Sequence, residues 1–333
     1  MKRFFIIIFL FAGISIFFFA MPSQANAAPN IDDIEPNHWA WNDVVGWIDF
    51  LYLGNPIVEA KPTKFEGYAS SSVGFIALDC GTSPAPPADC DPPTAPEENW
   101  FVSADASGLP TQTVKLAGWA WNENIGWVSF CGNDSGGSEF VGGTWVCPTS
   151  GNPTYQVEIT SSGTAEGEFT GWAWNDVVGW ISFNCSNTLT CSGGSNPVDY
   201  KVKLKVYPTG KSLTSPIYNM CLSGPCGAAV NTITWQGNNG GLANSVKFQI
   251  ATDCTSGSLP GCLTSSADFK GPNGQNSTSY TALPNITMNI RLASHNNKQY
   301  VRYKVTLDAC NMSQSCFPPA TPQVDDVIIN WSP

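Results

Sequence analysis

Imidazole is nearly absent from this chain: His38 and His295 are the only histidines in 333 residues. Zinc binding and histidine-based catalysis are left almost without ligands or bases. Charge is scarce as well, at 12% of residues, and positive charge is scarcer still, with 15 Lys and Arg against 26 Asp and Glu. A nucleic-acid partner would need a basic stripe, and an anionic membrane surface would need a basic cluster; neither is present. No CxxC spacing occurs among the 12 cysteines. After Met21 no apolar run is long enough to cross a bilayer, so no membrane span is expected in the mature chain.

The one long apolar run is N-terminal. Lys2 and Arg3 precede Phe4 to Met21, and Ala25-Asn26-Ala27 supplies the small residues of a cleavage site. Residues 1–27 therefore read as a signal peptide cut between Ala27 and Ala28, with an uncleaved anchor as the alternative, and the mature chain as extracellular or cell-surface. Cleavage removes Lys2 and Arg3 and no acid, leaving 13 basic against 26 acidic residues, a net of −13.

What is abundant is repetition. Gly171 to Phe183 (GWAWNDVVGWISF) recurs at Gly118 to Phe130 (GWAWNENIGWVSF) and at His38 to Phe50 (HWAWNDVVGWIDF), with a weaker copy at Gly67 to Leu78 (GYASSSVGFIAL). Each copy has the period of two and the polar turn of a β-hairpin. The register pairs Trp174 with Trp180, Ala173 with Ile181, Trp172 with Ser182 and Gly171 with Phe183, and His38 takes the Gly place opposite Phe50. One face then carries Trp, the other Gly, Ala, Ile and Phe. Both are apolar, so two readings stay open. The Trp face is either packed beneath another layer, or a platform open to water on which sugar rings stack. Trp39, Trp41, Trp47, Trp119, Trp121, Trp127, Trp172, Trp174 and Trp180 are the stacking candidates.

The cysteines fall into close neighbours: Cys80 with Cys90, Cys131 with Cys147, Cys185 with Cys191, Cys221 with Cys226, Cys254 with Cys262 and Cys310 with Cys316. In an exported chain these six pairs read as disulfides, the first three closing the loops that leave their hairpins. Single strands follow at Trp100 to Ala104, Tyr155 to Ile159 and Tyr200 to Leu204. The unit is hairpin, Cys loop, strand. From about Lys211 the Trp hairpin stops, and strand-like runs at 231–235, 246–252, 300–307 and 324–331 suggest a β-sandwich.

Two resemblances follow from these motifs. GWAWN followed by GWISF resembles the Trp-rich repeats of uncharacterised secreted proteins of candidate-phyla (Patescibacteria-type) bacteria, over most of residues 37–205, and brings no activity with it. LTSPIYN (213–219), VKFQIAT (246–252), FKGPNG (269–274), QYVRYKVTL (299–307) and TPQVDDVIINW (321–331) resemble a galactose-binding-like jelly-roll module of bacterial surface proteins. That resemblance implies a β-sandwich over the last 120 residues or so, and fold alone does not fix function.

The expected fold is all-β: repeated antiparallel Trp hairpins forming a sandwich-like or extended sheet domain over 28–208, then a jelly-roll β-sandwich over 209–333. The expected role is a secreted or cell-surface structural or adhesion protein without catalytic activity, its partner a cell-envelope or host-surface glycan or protein. The alternative is a carbohydrate-binding protein using exposed aromatic faces or jelly-roll loops, with a glycoside hydrolase as the remote one. No cofactor and no metal are expected, apart from a structural calcium to which Asp325 or Asp326 would contribute. A hydrolase needs carboxylates held at a set distance. The pairs Asp32 and Asp33, Glu97 and Glu98, and Asp325 and Asp326 are sequence neighbours, whose side chains point to opposite sides when extended.

Overall fold

The computed structural model describes residues 30–51, 58–82, 99–110, 112–133, 136–148, 154–191, 199–221, 227–252 and 268–332. The signal segment with its Ala27/Ala28 site, Glu97, Glu98, Cys90, Cys226, Cys254 and Cys262 lie outside them. No helix among the described residues is long and apolar enough to cross a membrane.

The all-β expectation holds, and the repeats form a closed ring. The hairpins comprise Trp39–Asn42 with Gly46–Asp49, Tyr68–Ser71 with Gly74–Ala77, the second half of Val114–Asn122 with Gly126–Ser129, and the second half of Phe169–Asn175 with Gly179–Ser182. Within each, the register is the one read from the sequence: Trp41 faces Trp47, Ser70 faces Phe75, Trp121 faces Trp127, and Trp174 faces Trp180. Between hairpins the same step recurs. Asp49 pairs with Ser70, Ala77 with Trp121, Ser129 with Trp174, and Ser182 with Trp41, which brings the last hairpin back to the first. The result is an eight-stranded antiparallel barrel with quasi-four-fold symmetry and no free edge.

An eight-stranded barrel is just wide enough for side chains to fill, and each hairpin sends a small residue and a large one inward. Ala40 with Ile48, Ala69 with Ile76, Ala120 with Val128, and Ala173 with Ile181 are all buried in one core. The turn residues Val45, Ile125 and Val178 fold over one end of it. The glycine before each Trp run has a backbone reason. Gly118 and Gly171 sit at φ +90° and +87°, and a Cβ there would overlap the carbonyl oxygens of Phe101 and Gln156 on the neighbouring single strands.

Those single strands build a second tier below the first. Lys64–Glu66 pairs with Val102–Asp105, which pairs with the start of Val114–Asn122; that pairs with Tyr155–Ile159, and this with the start of Phe169–Asn175. Residues 200–204 continue the ring through bridges from Lys203 to Glu168 and from Leu204 to Ile31. A side chain completes it: Asn30 Nδ2 donates to Ala60 O and Asn30 Oδ1 accepts from Ala60 N, both at 2.8 Å. Ala60 belongs to Glu59–Ala60, which returns to Lys64–Glu66.

The C-terminal part is a two-sheet sandwich. In one sheet Lys211–Thr214 and Tyr218–Asn219 both pair with Tyr300–Leu307, which pairs with Val246–Thr252 and through it with Tyr280–Thr281. In the other, Ala229–Asn238 lies between Met288–Asn289 and Gln323–Ser332. Ile233, Trp235, Phe248, Ile250, Val301 and Val305 form the core between them. This is jelly-roll strand order with the first of the eight strands missing among the described residues.

Three of the expected disulfides are described: Cys131–Cys147, Cys185–Cys191 and Cys310–Cys316. Cys80 and Cys221 are also disulfide-bonded. The Cys310–Cys316 loop has a further use. Its Met312 is fully buried in the barrel core, and Phe317 just beyond it lies 6.2 Å from the Phe65 ring. Asn311 exchanges hydrogen bonds with the Tyr207 backbone, and Ser313 N donates to Glu166 Oε1 at 2.6 Å. The sandwich thus plugs the lower end of the barrel.

Candidate functional site

Because strands alternate, filling the barrel with Ala, Ile and Phe turns every motif Trp outward. None of the nine is buried. Trp39, Trp41, Trp119, Trp121, Trp172 and Trp174 are half-buried, while Trp47, Trp127 and Trp180, at the centres of their faces, are 41, 43 and 47% exposed. Of the two readings left open by the sequence, the covering layer is absent among the described residues and the face is open to water.

The three Trp faces share one geometry. Each central ring meets one neighbour edge-on at 4.6 Å, as Trp41–Trp47, Trp121–Trp127 and Trp174–Trp180. It meets the other at 6.2 to 6.3 Å, as Trp39–Trp47, Trp119–Trp127 and Trp172–Trp180. A fourth aromatic, from the single strand next door, stands against the central ring. It is Tyr200 against Trp47 at 5.4 Å, Trp100 against Trp127 at 5.6 Å, and Tyr155 against Trp180 at 5.4 Å. These three are the site residues that sequence reasoning missed. Their signal was present, since each opens its single strand, but nothing local to the strand shows which hairpin it meets.

The rings are fixed by polar partners. Trp39 Nε1 donates to Glu35 Oε2 at 2.8 Å, Trp41 Nε1 to Asp43 Oδ1 at 2.9 Å, and Trp174 Nε1 to Asp176 Oδ1 at 2.9 Å. Tyr200 Oη donates to Ser182 Oγ at 2.9 Å and Tyr155 Oη to Ser129 Oγ at 3.1 Å, the same repeat position in successive hairpins. Burial, with the Asp176 carboxylate adding to it, raises the Tyr155 phenol above its ordinary value. The indole N–H groups of Trp47, Trp127 and Trp180 have no acceptor among the described residues.

Clefts open beside these faces. One, about 510 Å³, separates the third and fourth hairpins and is walled by Trp119, Trp127, Tyr155, Trp174 and Trp180, with Asp176 at its rim. Two smaller ones, about 280 and 270 Å³, flank Trp47 and share Tyr200. Flat aromatic walls beside carboxylate and hydroxyl groups suit a ring that is apolar on its faces and hydroxylated at its edge. The second hairpin is different. Phe75 is exposed there, its ring centroid 5.5 Å from that of Tyr68, and Ser70 takes the place of the third Trp.

The chain has no match among known protein families, curated proteins or solved structures.

His295 and the pair Asp325 and Asp326 lie away from these clefts, whereas Glu35 and Asp199 line one of the two beside Trp47. His38 is buried between Asp49 Oδ1, 2.8 Å from Nδ1, and Glu35 Oε1, 3.1 Å from Nε2, behind Trp39. His295 is buried in the sandwich with Nδ1 3.0 Å from Thr252 Oγ1. Asp325 and Asp326 lie on the exposed edge strand, the first accepting from Gln323 and the second from its neighbour's N–H at 2.8 Å. Cys185, Cys191 and Asp199 gather closely enough for a metal, but a disulfide joins the two sulfurs, which removes the thiolates.

Proposed function

We propose that this chain is a secreted binding protein without catalytic activity, whose barrel presents three aromatic sites for glycans of a cell envelope or host surface. The observation that carries this reading is the outward placement of the motif Trp. A large aromatic left two-fifths exposed at the same position of three repeats, with a fourth ring set against it, forms a recurring concave surface rather than scattered apolar exposure. Stacking on a sugar face uses the ring, and the free indole N–H and the rim carboxylates supply hydrogen-bond partners for hydroxyl groups. Three sites spaced around a rigid barrel also fit adhesion, because linked weak sites gain avidity on a repetitive surface. Export and the disulfides belong to the same setting. A purely structural role would leave the three faces without a common purpose.

Tryptophan fluorescence with acrylamide quenching, repeated while titrating cell-wall and host glycans, tests this directly. The proposal expects ready quenching that at least one glycan suppresses. Quenching that no glycan alters would return the chain to a structural or protein-binding role.

A further inference from the structure

Among the described residues the sandwich is one strand short, and the place of that strand is marked by side chains. Directly opposed residues of an antiparallel pair share a face. Leu213 is opposite Val305, Tyr218 opposite Val301, and Trp331 opposite Val230. Val305, Val301 and Val230 are buried core residues. Leu213, Tyr218 and Trp331 therefore face the core side too, yet they are 66, 48 and 44% exposed. Large side chains on the inner face of a sandwich are uncovered only where nothing lies across them. All three sit on the outer strands of the two facing sheets, Lys211–Thr214 and Tyr218–Asn219 in one and Gln323–Ser332 in the other.

The strand Gln323–Ser332 pairs on one side only among the described residues, with Ala229–Asn238. About half of its ten residues turn their backbone donors and acceptors to the other edge, and no Lys or Pro blunts it. In jelly-roll order the missing first strand would pair there, antiparallel.

We propose that a second copy of this chain supplies it, the two Gln323–Ser332 strands pairing antiparallel about a two-fold axis through Ile328. Pairing about that residue sets Val327 opposite Ile329 of the second copy, core side against core side, so over this central stretch both inner faces lie on one side of the joined sheet. It lays Ile328, 47% exposed on the outer face, against its own equivalent. It sets Asp326 opposite Asn330. Shifting the axis to Asp326 instead would put carboxylate against carboxylate, in a chain that already carries a formal net charge of −11. The interface is isologous and closes as a dimer. The inner-face residues of each incoming strand, Val327, Ile329 and Trp331, then cover the uncovered side of the other copy. A joined pair would present six barrel sites in place of three.

Sedimentation velocity of the full mature chain over a range of concentrations tests this. The wild type is expected to form dimers. Ile328→Lys, which sets two ammonium groups together, and Asn330→Asp, which sets a carboxylate opposite Asp326, should each weaken dimerisation by more than about tenfold. Both changes lie on an exposed face, so thermal unfolding of the monomer should be unaltered. A wild type that stays monomeric at every concentration overturns the proposal, and so does a dimer that both variants leave intact, which would place the contact elsewhere. Glycan binding by a monomer would leave the proposed function standing and remove only the pairing.

Discussion

Three asparagines hold the barrel closed, and they are the repeat's least conspicuous residues. Asn42, Asn122 and Asn175 are buried at the end of each first strand. Asn175 Oδ1 accepts from Val177 N and Val178 N at 2.9 Å, fixing its own turn. Its Nδ2 donates to Ile125 O and Trp127 O, at 2.9 and 2.8 Å, on the neighbouring hairpin. Asn42 repeats the pattern onto Val178 O and Trp180 O, and Asn122 onto Val73 O and Phe75 O. In the weak second copy Ser72 Oγ reaches Val45 O instead. Asn175→Asp would keep the acceptor and lose both donors, leaving two buried carbonyls facing a carboxylate. A loss of about 3 kcal/mol is expected in chemical denaturation. Asn175→Ser should recover part of it if the latch is a donor.

His295 gives a pH signature. Burial, with the Lys298 ammonium adding to it, lowers its imidazole to about 4. The unfolded chain takes up the proton near 6.5 and the folded chain only near 4, so the unfolded state binds more protons in between. Stability of the sandwich is then complete above about pH 6.5 and falls by about 3 kcal/mol as pH drops towards 4, below which the loss levels off. His295→Gln should flatten that slope in urea titrations at pH 4 and 7.

At the scale of the element, the hairpin was legible almost in full. A period of two, a polar turn and a closing Gly fix which residues face each other, and the register holds in all four copies, down to the shorter turn between Ser71 and Gly74. Phe130 N donates to Gly118 O at 3.0 Å, as the register required. Phe130→Ala should cost about 3 to 5 kcal/mol, because the ring fills the barrel against Phe183; a change under about 1 kcal/mol in thermal unfolding would contradict its place in the core. The strands of the sandwich were also legible, Val246–Thr252 and Tyr300–Leu307 to the residue. What the pattern hid was the side of the hairpin that faces water. Trp and Ala/Ile faces are equally apolar, so hydrophobicity does not separate them. Size does: four Ala and four Ile or Val fill an eight-stranded ring, and the nine Trp with Tyr68 and Phe75 would not.

The whole molecule depends on contacts that no local signal carries. Closure of the first tier rests on Ser182 meeting Trp41, 141 residues earlier in the chain, and closure of the second on the Asn30 side chain. The Cys310–Cys316 loop belongs to the sandwich by sequence, and it is the barrel's plug. Met312→Lys should therefore lower the unfolding midpoint of the barrel, followed through its Trp emission, and not that of the sandwich alone, since it buries an unpaired ammonium among Phe65, Phe169 and their neighbours.

The barrel sets Trp47, Trp127 and Trp180 around one rigid ring, and each is proposed as the centre of a binding face. Isothermal titration of the mature protein with a glycan that protects its fluorescence tests it most directly. A stoichiometry of three is expected, falling by one with each of Trp47→Ala, Trp127→Ala and Trp180→Ala. Unchanged binding by the triple variant would contradict it.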